Sequence, residues 1–173
     1  SVTLQVASGR TLTIAGAITK NGAITGAGDV IFSSIAAYDA TSDNSDIGSA
    51  IASDRTLSKY NTSGTTKVII ASGEALTINA TKTLTIASGV TLKLVSGGTL
   101  TNGGIIVNKE SLTKTAGTLT NNGLILNKSS SVFTFNSDGG KSQTLTRDFN
   151  FGDTLTIASD ETLTIAASNT LTI

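Results

Sequence analysis

Short runs in which Leu or Ile alternates with Thr recur along the chain. This period of two indicates β-strands that bury one face, and β-branched Thr suits the outer face of such strands. The phrase Thr-Leu-Thr-Ile-Ala occupies residues 11–15, 83–87, 154–158 and 162–166, and looser copies occupy residues 75–79 and 91–95. We predict a short strand at each copy.

The copies follow one another at a regular spacing of eight residues. The spacing joins Leu76, Leu84, Leu92 and Leu100, then Leu155, Leu163 and Leu171, and also Leu4 and Leu12. Each octad reads as a strand of about four residues followed by a bend, and the bends carry Gly, Ser and Ala, which tolerate turn conformations.

A second repeat of 19 residues overlaps the octads. Residues 98–109 match residues 117–128 at nine of twelve positions. Antiparallel hairpins are the alternative, but the Asn-Gly dipeptides that favour tight hairpins lie outside the Thr-Leu-Thr-Ile octads. Units of 19 or 24 residues instead favour the coils of a parallel β-helix with two or three strands each. Equivalent residues then stack, so we expect Asn102 and Asn121 to form an Asn ladder.

The predicted fold is therefore all-β, a single parallel β-helix (β-solenoid) of residues 1–173. Right-handed winding is favoured by the general tendency of parallel crossovers. If the 34 residues of 33–66 are left out of the 173, the remaining 139 at about 20 residues per coil predict roughly seven coils and a rise of roughly 35 Å.

Residues 33–66 lack octads, and we predict an irregular insertion or capping loop there. Ile47, Ile51 and Leu57 recur at helical spacing, which favours a short helix. Tyr38 and Tyr60 bracket the segment, and we expect them to pin it to the solenoid.

A second irregular stretch covers residues 131–152 and contains four of the five Phe residues. Residues 132–135 and 148–151 are predicted to be two strands that share an aromatic cluster.

The charge balance excludes several functional classes. Lys plus Arg and Asp plus Glu number 12 each, which removes the electrostatic basis for a nucleic-acid partner or a polybasic membrane patch. No apolar run approaches the roughly 18 residues of a membrane span. The chain contains no Cys and no His, so ordinary zinc sites and thiol or imidazole nucleophiles are excluded. We predict no cofactor.

Acidic residues supply the remaining candidates for chemistry. Asp39, Asp43 and Asp46 form the best calcium candidate, since hard oxygen ligands cluster in one loop, but the simpler interpretation is a polar loop. The pair Asp160 and Glu161 lies in a bend and is interpreted as solvated surface, and Asp148 and Asp153, which flank the Phe-rich segment, are not expected to be catalytic. No nucleophile, base and orienting group come together in sequence, so we predict no catalytic and no metal-binding residues and do not expect an enzyme.

At the level of families, the run from Gly89-Val-Thr-Leu92 to Gly97-Gly-Thr-Leu-Thr-Asn-Gly-Gly104 resembles the β-solenoid repeats of secreted bacterial and archaeal surface proteins and adhesins. The 19-residue unit is similar to that of filamentous-haemagglutinin-type β-helices. The resemblance covers residues 68–128 and 153–173 well and 1–32 loosely. It implies a parallel β-helix exposed on a cell surface.

A solenoid has two open ends that natural repeat proteins cover. Both ends of this sequence carry strand patterns, so either the sequence is a piece of a longer β-helix or its ends are binding sites. In the second case the expected subunit-interface residues are Val2, Leu4, Val6, Leu171 and Ile173. The expectation is a secreted structural subunit that assembles head to tail into an extracellular filament, with lateral bundling or cell-surface glycans as further contacts. The first residue is Ser, which fits a cleaved signal peptide, removal of an initiator Met, or a segment cut from a longer protein, and we favour the signal peptide.

Two other functions remain open. The first is an adhesin or receptor-binding module of a larger surface protein, with residues 33–66 as the contact loop, and the second is a polysaccharide-active β-helix. Asn61, Asn79 and Asn127 stand in N-glycosylation sequons, a number that the 30 Thr and 21 Ser make unremarkable.

Overall fold

The structure is a computed structural model that describes residues 3–18, 22–41, 50–128, 130–133, 142–157 and 161–173. Short parallel strands follow one another around a coil, and the coils stack into a β-solenoid of about seven turns. The predicted all-β solenoid is confirmed.

The described elements follow the coil in chain order, turn by turn. The first two turns contain β1 (Thr3–Gln5), β2 (Thr11–Ile14), β3 (Ala23–Thr25), β4 (Asp29–Phe32), α1 (Ile35–Thr41), β5 (Ala50–Ile51) and β6 (Arg55–Leu57). Turns three to five contain β7 (Thr66–Ile70), β8 (Ala75–Ile78), β9 (Thr83–Ile86), β10 (Val90–Leu94), β11 (Thr99–Asn102), β12 (Ile105–Asn108), β13 (Ser111–Lys114), β14 (Thr118–Asn121) and β15 (Leu124–Lys128). The last two turns contain β16 (Val132–Phe133), β17 (Ser142–Leu145), β18 (Phe149–Asn150), β19 (Leu155–Thr156), β20 (Thr162–Ile165) and β21 (Leu171–Thr172).

Three parallel sheets form the sides of the main solenoid. Sheet I has the order β2-β4-β7-β10-β13-β16, sheet II has β5-β8-β11-β14, and sheet III has β6-β9-β12-β15, to which β19 adds an antiparallel strand. Each octad forms one side of a coil, because Leu76, Leu84 and Leu92 lie on sheets II, III and I in turn. Leu100 lies beside both Leu76 and Leu119, so the predicted repeats of 24 and 19 residues are both single turns.

The inward positions of turns three to five form a dry apolar core. Leu84, Ile86, Leu92 and Leu100 have no exposed surface, while the Thr residues between them face outward. Burying one such Leu or Ile side chain stabilises the fold by about 1.5–3 kcal/mol. The inward side chains of successive turns stack on one another, Leu84 on Ile106 and Leu100 on Leu76, so each short strand is stabilised by its neighbours.

Asn side chains form two ladders in this core, of which sequence reasoning predicted one. The Nδ2 of Asn102 donates to Oδ1 of Asn121 at 2.8 Å and to the carbonyl of Leu124 at 2.9 Å, which confirms the predicted stack. The second ladder joins Asn108 to Asn127 at 3.0 Å. Each buried amide is therefore satisfied by its neighbours, as a buried polar group requires.

The segment 33–66 contains a helix, but not where helical spacing placed it. The helix is α1, which starts after Ser34, whose Oγ accepts a hydrogen bond from the Ala37 N–H. Ile51 and Leu57 lie instead on β5 and β6, which stack on sheets II and III, so the prediction of a helix through them is wrong. The spacing of six residues between Ile51 and Leu57 also suits two short strands joined by a bend, and stacking on the next turn decides between a helix and two strands. Ile47 lies outside the described residues.

Aromatic rings hold α1 against the solenoid. Tyr38 and Tyr60 pack edge to face at a centroid distance of 5.7 Å, and both contact Phe32. The hydroxyl of Tyr38 accepts a hydrogen bond from the Ser58 N–H at 2.8 Å. Burial raises the pKa of the Tyr38 phenol, an effect that this backbone hydrogen bond partly offsets. The expectation that the two Tyr residues pin this segment is confirmed.

The terminal stack, defined as residues 142–157 and 161–173, leaves the line of the main solenoid. Among the described residues, its strands pair with each other, β17 with β20 and β18 with β21, apart from the short contact of β19 with β15. It packs on the outer face of sheet III, where Leu145 and Phe151 bury the outward side chains of Ile105 and Leu124. The octads of residues 155–173 therefore do not continue the main solenoid along its axis.

The predicted aromatic cluster is only partly described. Phe149 and Phe151 pack in the terminal stack, whereas the side chain of Phe133 and all of Phe135 lie outside the described residues. The aromatic pairs within the described part of the chain are those of Phe32, Tyr38 and Tyr60.

Candidate functional site

The first turn ends in an open sheet edge, which we call the leading edge. It consists of β1 and β2, and within the described residues each pairs on one side only, with β3 and β4 respectively. Leu4 points toward the core but is 49% exposed, because no described turn lies beneath it. Val6 and Ile14 are buried on the same face.

The terminal stack ends in a second open edge, the trailing edge. It consists of β20 and β21, which in the described part of the chain pair on one side only, with β17 and β18. On its inward face Ile165 is 46% exposed and Ile173 is 73% exposed, while Leu163 and Leu171 are half-buried. Two strands with an exposed apolar face thus stand at each edge.

The backbone groups of the two edges point in complementary directions. Alternate residues of a parallel strand face opposite neighbours. Val6 exchanges hydrogen bonds with the second turn at 2.9 and 3.0 Å, and Ile14 accepts one at 3.0 Å, so Thr3, Gln5, Thr11 and Thr13 turn their N–H and C=O groups outward at the leading edge.

At the trailing edge the Leu and Ile positions, rather than the Thr positions, turn their backbone N–H and C=O groups outward. Thr170 and Thr172 accept hydrogen bonds from β18 at 2.9 and 2.8 Å, so Leu171 and Ile173 expose their backbone groups. Inside the solenoid, the N–H groups at the Thr positions of each turn donate hydrogen bonds to carbonyls of the preceding turn. The Thr118 N–H, for example, donates to the Gly98 C=O. The backbone groups of the trailing edge are therefore arranged like the side of a turn that faces the following turn. Those of the leading edge are arranged like the side that faces the preceding turn.

The bends that join the two strands of each edge are also alike. At the leading edge Arg10 N–H donates to Ala7 C=O at 3.0 Å around Gly9, whose φ is 72°. At the trailing edge Asn169 N–H donates to Ala166 C=O at 3.1 Å around Ser168, whose φ is 68°. Each edge is thus the same strand–bend–strand unit.

The trailing edge faces in a direction perpendicular to the axis of the main solenoid rather than along that axis. The side chain of Gln143, at the start of β17, pairs with the N–H and C=O of Ile125 in turn five at 2.5 and 3.3 Å. Arg147, just after β17, donates to the carbonyl of Thr81 in turn three. Strand β17 consequently runs along the solenoid axis, and its stack grows away from sheet III.

An ion pair fastens the other side of the terminal stack. The carboxylate of Asp153 lies 3.2 Å from Lys128 Nζ and 4.0 Å from Lys109 Nζ. The pKa of Asp153 is lowered first by the hydrogen bond from the Thr154 N–H and then by Lys128. Asp148 accepts a hydrogen bond from the Thr170 N–H at 2.7 Å, so both carboxylates have structural partners.

The five interface residues predicted from sequence occupy different places. Leu4 lies on the leading edge, and Leu171 and Ile173 lie on the trailing edge, whereas Val6 is buried by the second turn. Val2 lies outside the described residues. Sequence reasoning missed Ile165, although the octad pattern itself puts Ile165 on the same face as Leu163.

A groove of about 840 Å³ runs between β17 and the stacked bends that connect sheets II and III. Hydroxyl and amide groups of Ser142, Thr144, Asn121 and Asn122 line it, and Arg147 is the one ionisable side chain among its described lining residues. A single guanidinium that already binds backbone carbonyls offers no acid–base pair.

The calcium candidate falls outside the described part of the chain, since residues 42–49, the side chain of Asp39 and also Asp160 lie there. Among the residues that the structure describes, no three acidic side chains gather closely enough to hold a metal ion. Two sequon residues, Asn61 and Asn127, are buried and hydrogen-bonded, whereas Asn79 is exposed.

Comparison of this chain with protein-family models, with curated proteins and with solved structures finds no match. Within the described residues, the one helix has seven residues, and no helix is long and apolar enough to cross a membrane.

Proposed function

We propose that this protein is a non-catalytic structural subunit that assembles head to tail into an extracellular filament. One observation carries the proposal: the leading and trailing edges are complementary in backbone polarity, and both present apolar side chains to solvent. Unpaired edges of this kind recruit further strands. A contact between two different surfaces of identical subunits does not close on itself unless the rotation closes a ring, so it propagates as a filament.

The composition supports an extracellular location and the resemblance to secreted surface repeats, including the haemagglutinin type. The surface is rich in Thr and Ser and nearly neutral, and the chain lacks Cys and Met, the residues most easily oxidised. Low net charge also favours lateral association of filaments, because neutral rods repel each other weakly. Cell-surface glycans are the further partner we propose for such bundles.

A binding module of a larger surface protein is the second candidate. The observation that favours it is the groove beside β17, whose hydroxyl and amide lining suits a polar ligand such as a glycan segment. Such a module needs no self-association, so the state of the purified protein separates the two candidates.

The test is electron microscopy and sedimentation of the purified chain over a range of concentrations. We expect filaments for the unaltered protein and a folded monomer for Leu4→Asp and for Ile173→Asp, because each places a carboxylate in an apolar joint. Ile157→Asp is the matched control, since Ile157 is also 49% exposed but belongs to neither edge; it should still form filaments.

Mixing the two blocked variants tests the head-to-tail geometry. Leu4→Asp keeps an intact trailing edge and Ile173→Asp keeps an intact leading edge, so an equimolar mixture should form dimers and stop there. Monomers of the unaltered protein at high concentration would refute the proposal. Larger oligomers in the mixture would show that the subunits meet through other surfaces.

A further inference from the structure

We infer that the joint has one register, in which Thr162 lies beside Thr3 and Ile173 lies beside Ile14, with the bend at Ser168 stacked against the bend at Gly9. This inference rests on the proposed head-to-tail assembly and specifies its contact. The numbering offset between the partners is constant along both strands and through the bend. The resulting interface consists of two continuous parallel strand pairs.

The precedent for this contact lies inside the solenoid. The bend at Gly73, between β7 and β8, stacks on the bend at Gly97, between β10 and β11, and Gly73 N–H donates to Gly97 C=O at 3.0 Å. The strands on both sides keep the same register through the bend. The joint repeats this arrangement with Ser168 in the place of Gly73 and Gly9 in the place of Gly97.

Gly9 carries the argument for this register. A Cβ on Gly97 would lie 2.3 Å from the Ser72 Oγ of the turn before, and a Cβ on Gly26 or Gly117 would likewise meet backbone of the preceding turn. In these three bends the glycine with positive φ thus leaves room for the turn beneath. Gly9 has a similar φ of 72°, yet a Cβ there meets nothing within 4 Å. The space beneath it fits a bend from another copy.

The register also aligns the apolar side chains. Leu163 and Leu171 come to lie beneath Leu4 and Leu12, and Ile165 lies beneath Val6, so like side chains stack as they do in turns three to five. A slip by one residue would bring Thr side chains under Leu. A slip by two residues would break the alignment of the bends.

Because the chain contains no Cys, disulfide trapping reads the register directly. Thr164 and Gln5 face outward and are exposed, and the proposed register places their Cα atoms about 4.8 Å apart, within the range a disulfide spans. A mixture of Thr164→Cys and Gln5→Cys proteins should form covalent dimers under mild oxidation. Thr164→Cys mixed with Thr3→Cys should not, since a shift of two residues puts the Cα atoms about 8 Å apart.

A pair of glycine variants gives a second reading without cross-linking. Gly9→Ala and Gly73→Ala impose similar backbone strain at φ of 72° and 81° and meet no atom within 4 Å in the isolated subunit. Both should therefore lower the melting temperature similarly, but only Gly9→Ala should raise the critical concentration for assembly, by tenfold or more.

The outcomes separate the register from the assembly itself. Filaments that cross-link through Thr3→Cys, or that tolerate Gly9→Ala as well as Gly73→Ala, overturn the register and leave the assembly standing. A protein that never assembles overturns both.

Discussion

The same five residues, Thr-Leu-Thr-Ile-Ala, occupy β9 in the third turn and β20 in the terminal stack, with opposite burial. In β9 both Leu84 and Ile86 are fully buried, whereas Leu163 is half-buried and Ile165 is 46% exposed. The local conformation is a short strand followed by a bend in both places. The phrase thus determines the strand, and the presence of turns on both sides determines how much apolar surface it buries.

The largest expected difference between the two copies lies in the cost of removing their Leu side chains. Leu84→Ala should lower the free energy of unfolding by about 2–5 kcal/mol, because it leaves a cavity in a closed core. Leu163→Ala should lower it by about 1 kcal/mol, since the half-buried side chain loses less contact area. Denaturant unfolding of the monomer, in the Leu4→Asp background, measures both. Equal losses would contradict the comparison.

Buried side-chain amides allow a second and smaller comparison. Asn102 is fully buried and its amide contacts turn five, whereas Gln143 pairs with the outer edge of β15. Asn102→Ala should lower the free energy of unfolding by about 1–3 kcal/mol, because it leaves buried polar groups without hydrogen-bond partners. Gln143→Ala should lower the free energy of unfolding by less, because Gln143 lines the groove beside β17, from which water can reach the Ile125 N–H and C=O once the side chain is removed.

Hydrogen exchange separates the two amide variants further. Gln143→Ala should speed the exchange of the terminal-stack amides while leaving β9 and β12 protected. Faster exchange throughout the molecule would show that the terminal stack and the main solenoid unfold as one unit.

The smallest expected effect comes from the ion pair that fastens the terminal stack. The pKa of Asp153 is lowered in the folded protein from an ordinary value of 3.8, so its stabilising contribution is present above about pH 4 and is lost as the pH falls through the folded pKa. At neutral pH, Asp153→Asn should therefore have a slightly lower melting temperature than the unaltered protein. The two melting temperatures should converge in acid, and a difference that grows below pH 4 would contradict this assignment.

Much of the fold was predictable because octads encode both the strand and the bend. The departure of the terminal stack was not predicted, since its octads have the same pattern as those of β8 and β9. A signal for it exists elsewhere: Ile105-Ile-Val107 and Leu124-Ile-Leu126 carry apolar residues where other octads carry outward Thr. Such continuous apolar runs indicate strands buried on both faces, and they mark the surface that the terminal stack covers.

The candidate site was predictable only in part. Sequence identified Leu4, Leu171 and Ile173, because edge strands of a repeat expose the same positions that inner strands bury. It could not reveal that Val6 is covered by the second turn, or that Gln143 and Arg147 direct the trailing edge away from the solenoid axis. Those contacts join residues up to 66 positions apart, which no local pattern specifies.

The sideways position of the terminal stack separates the length of the solenoid from the proposed joint. Thr66 lies beside Val90, one 24-residue turn further along the chain, and a duplication of such a turn would add about 4.8 Å to the solenoid while both edges keep their residues. In the proposed filament, gene duplication would therefore lengthen the subunit without changing the residues that join it to its neighbours.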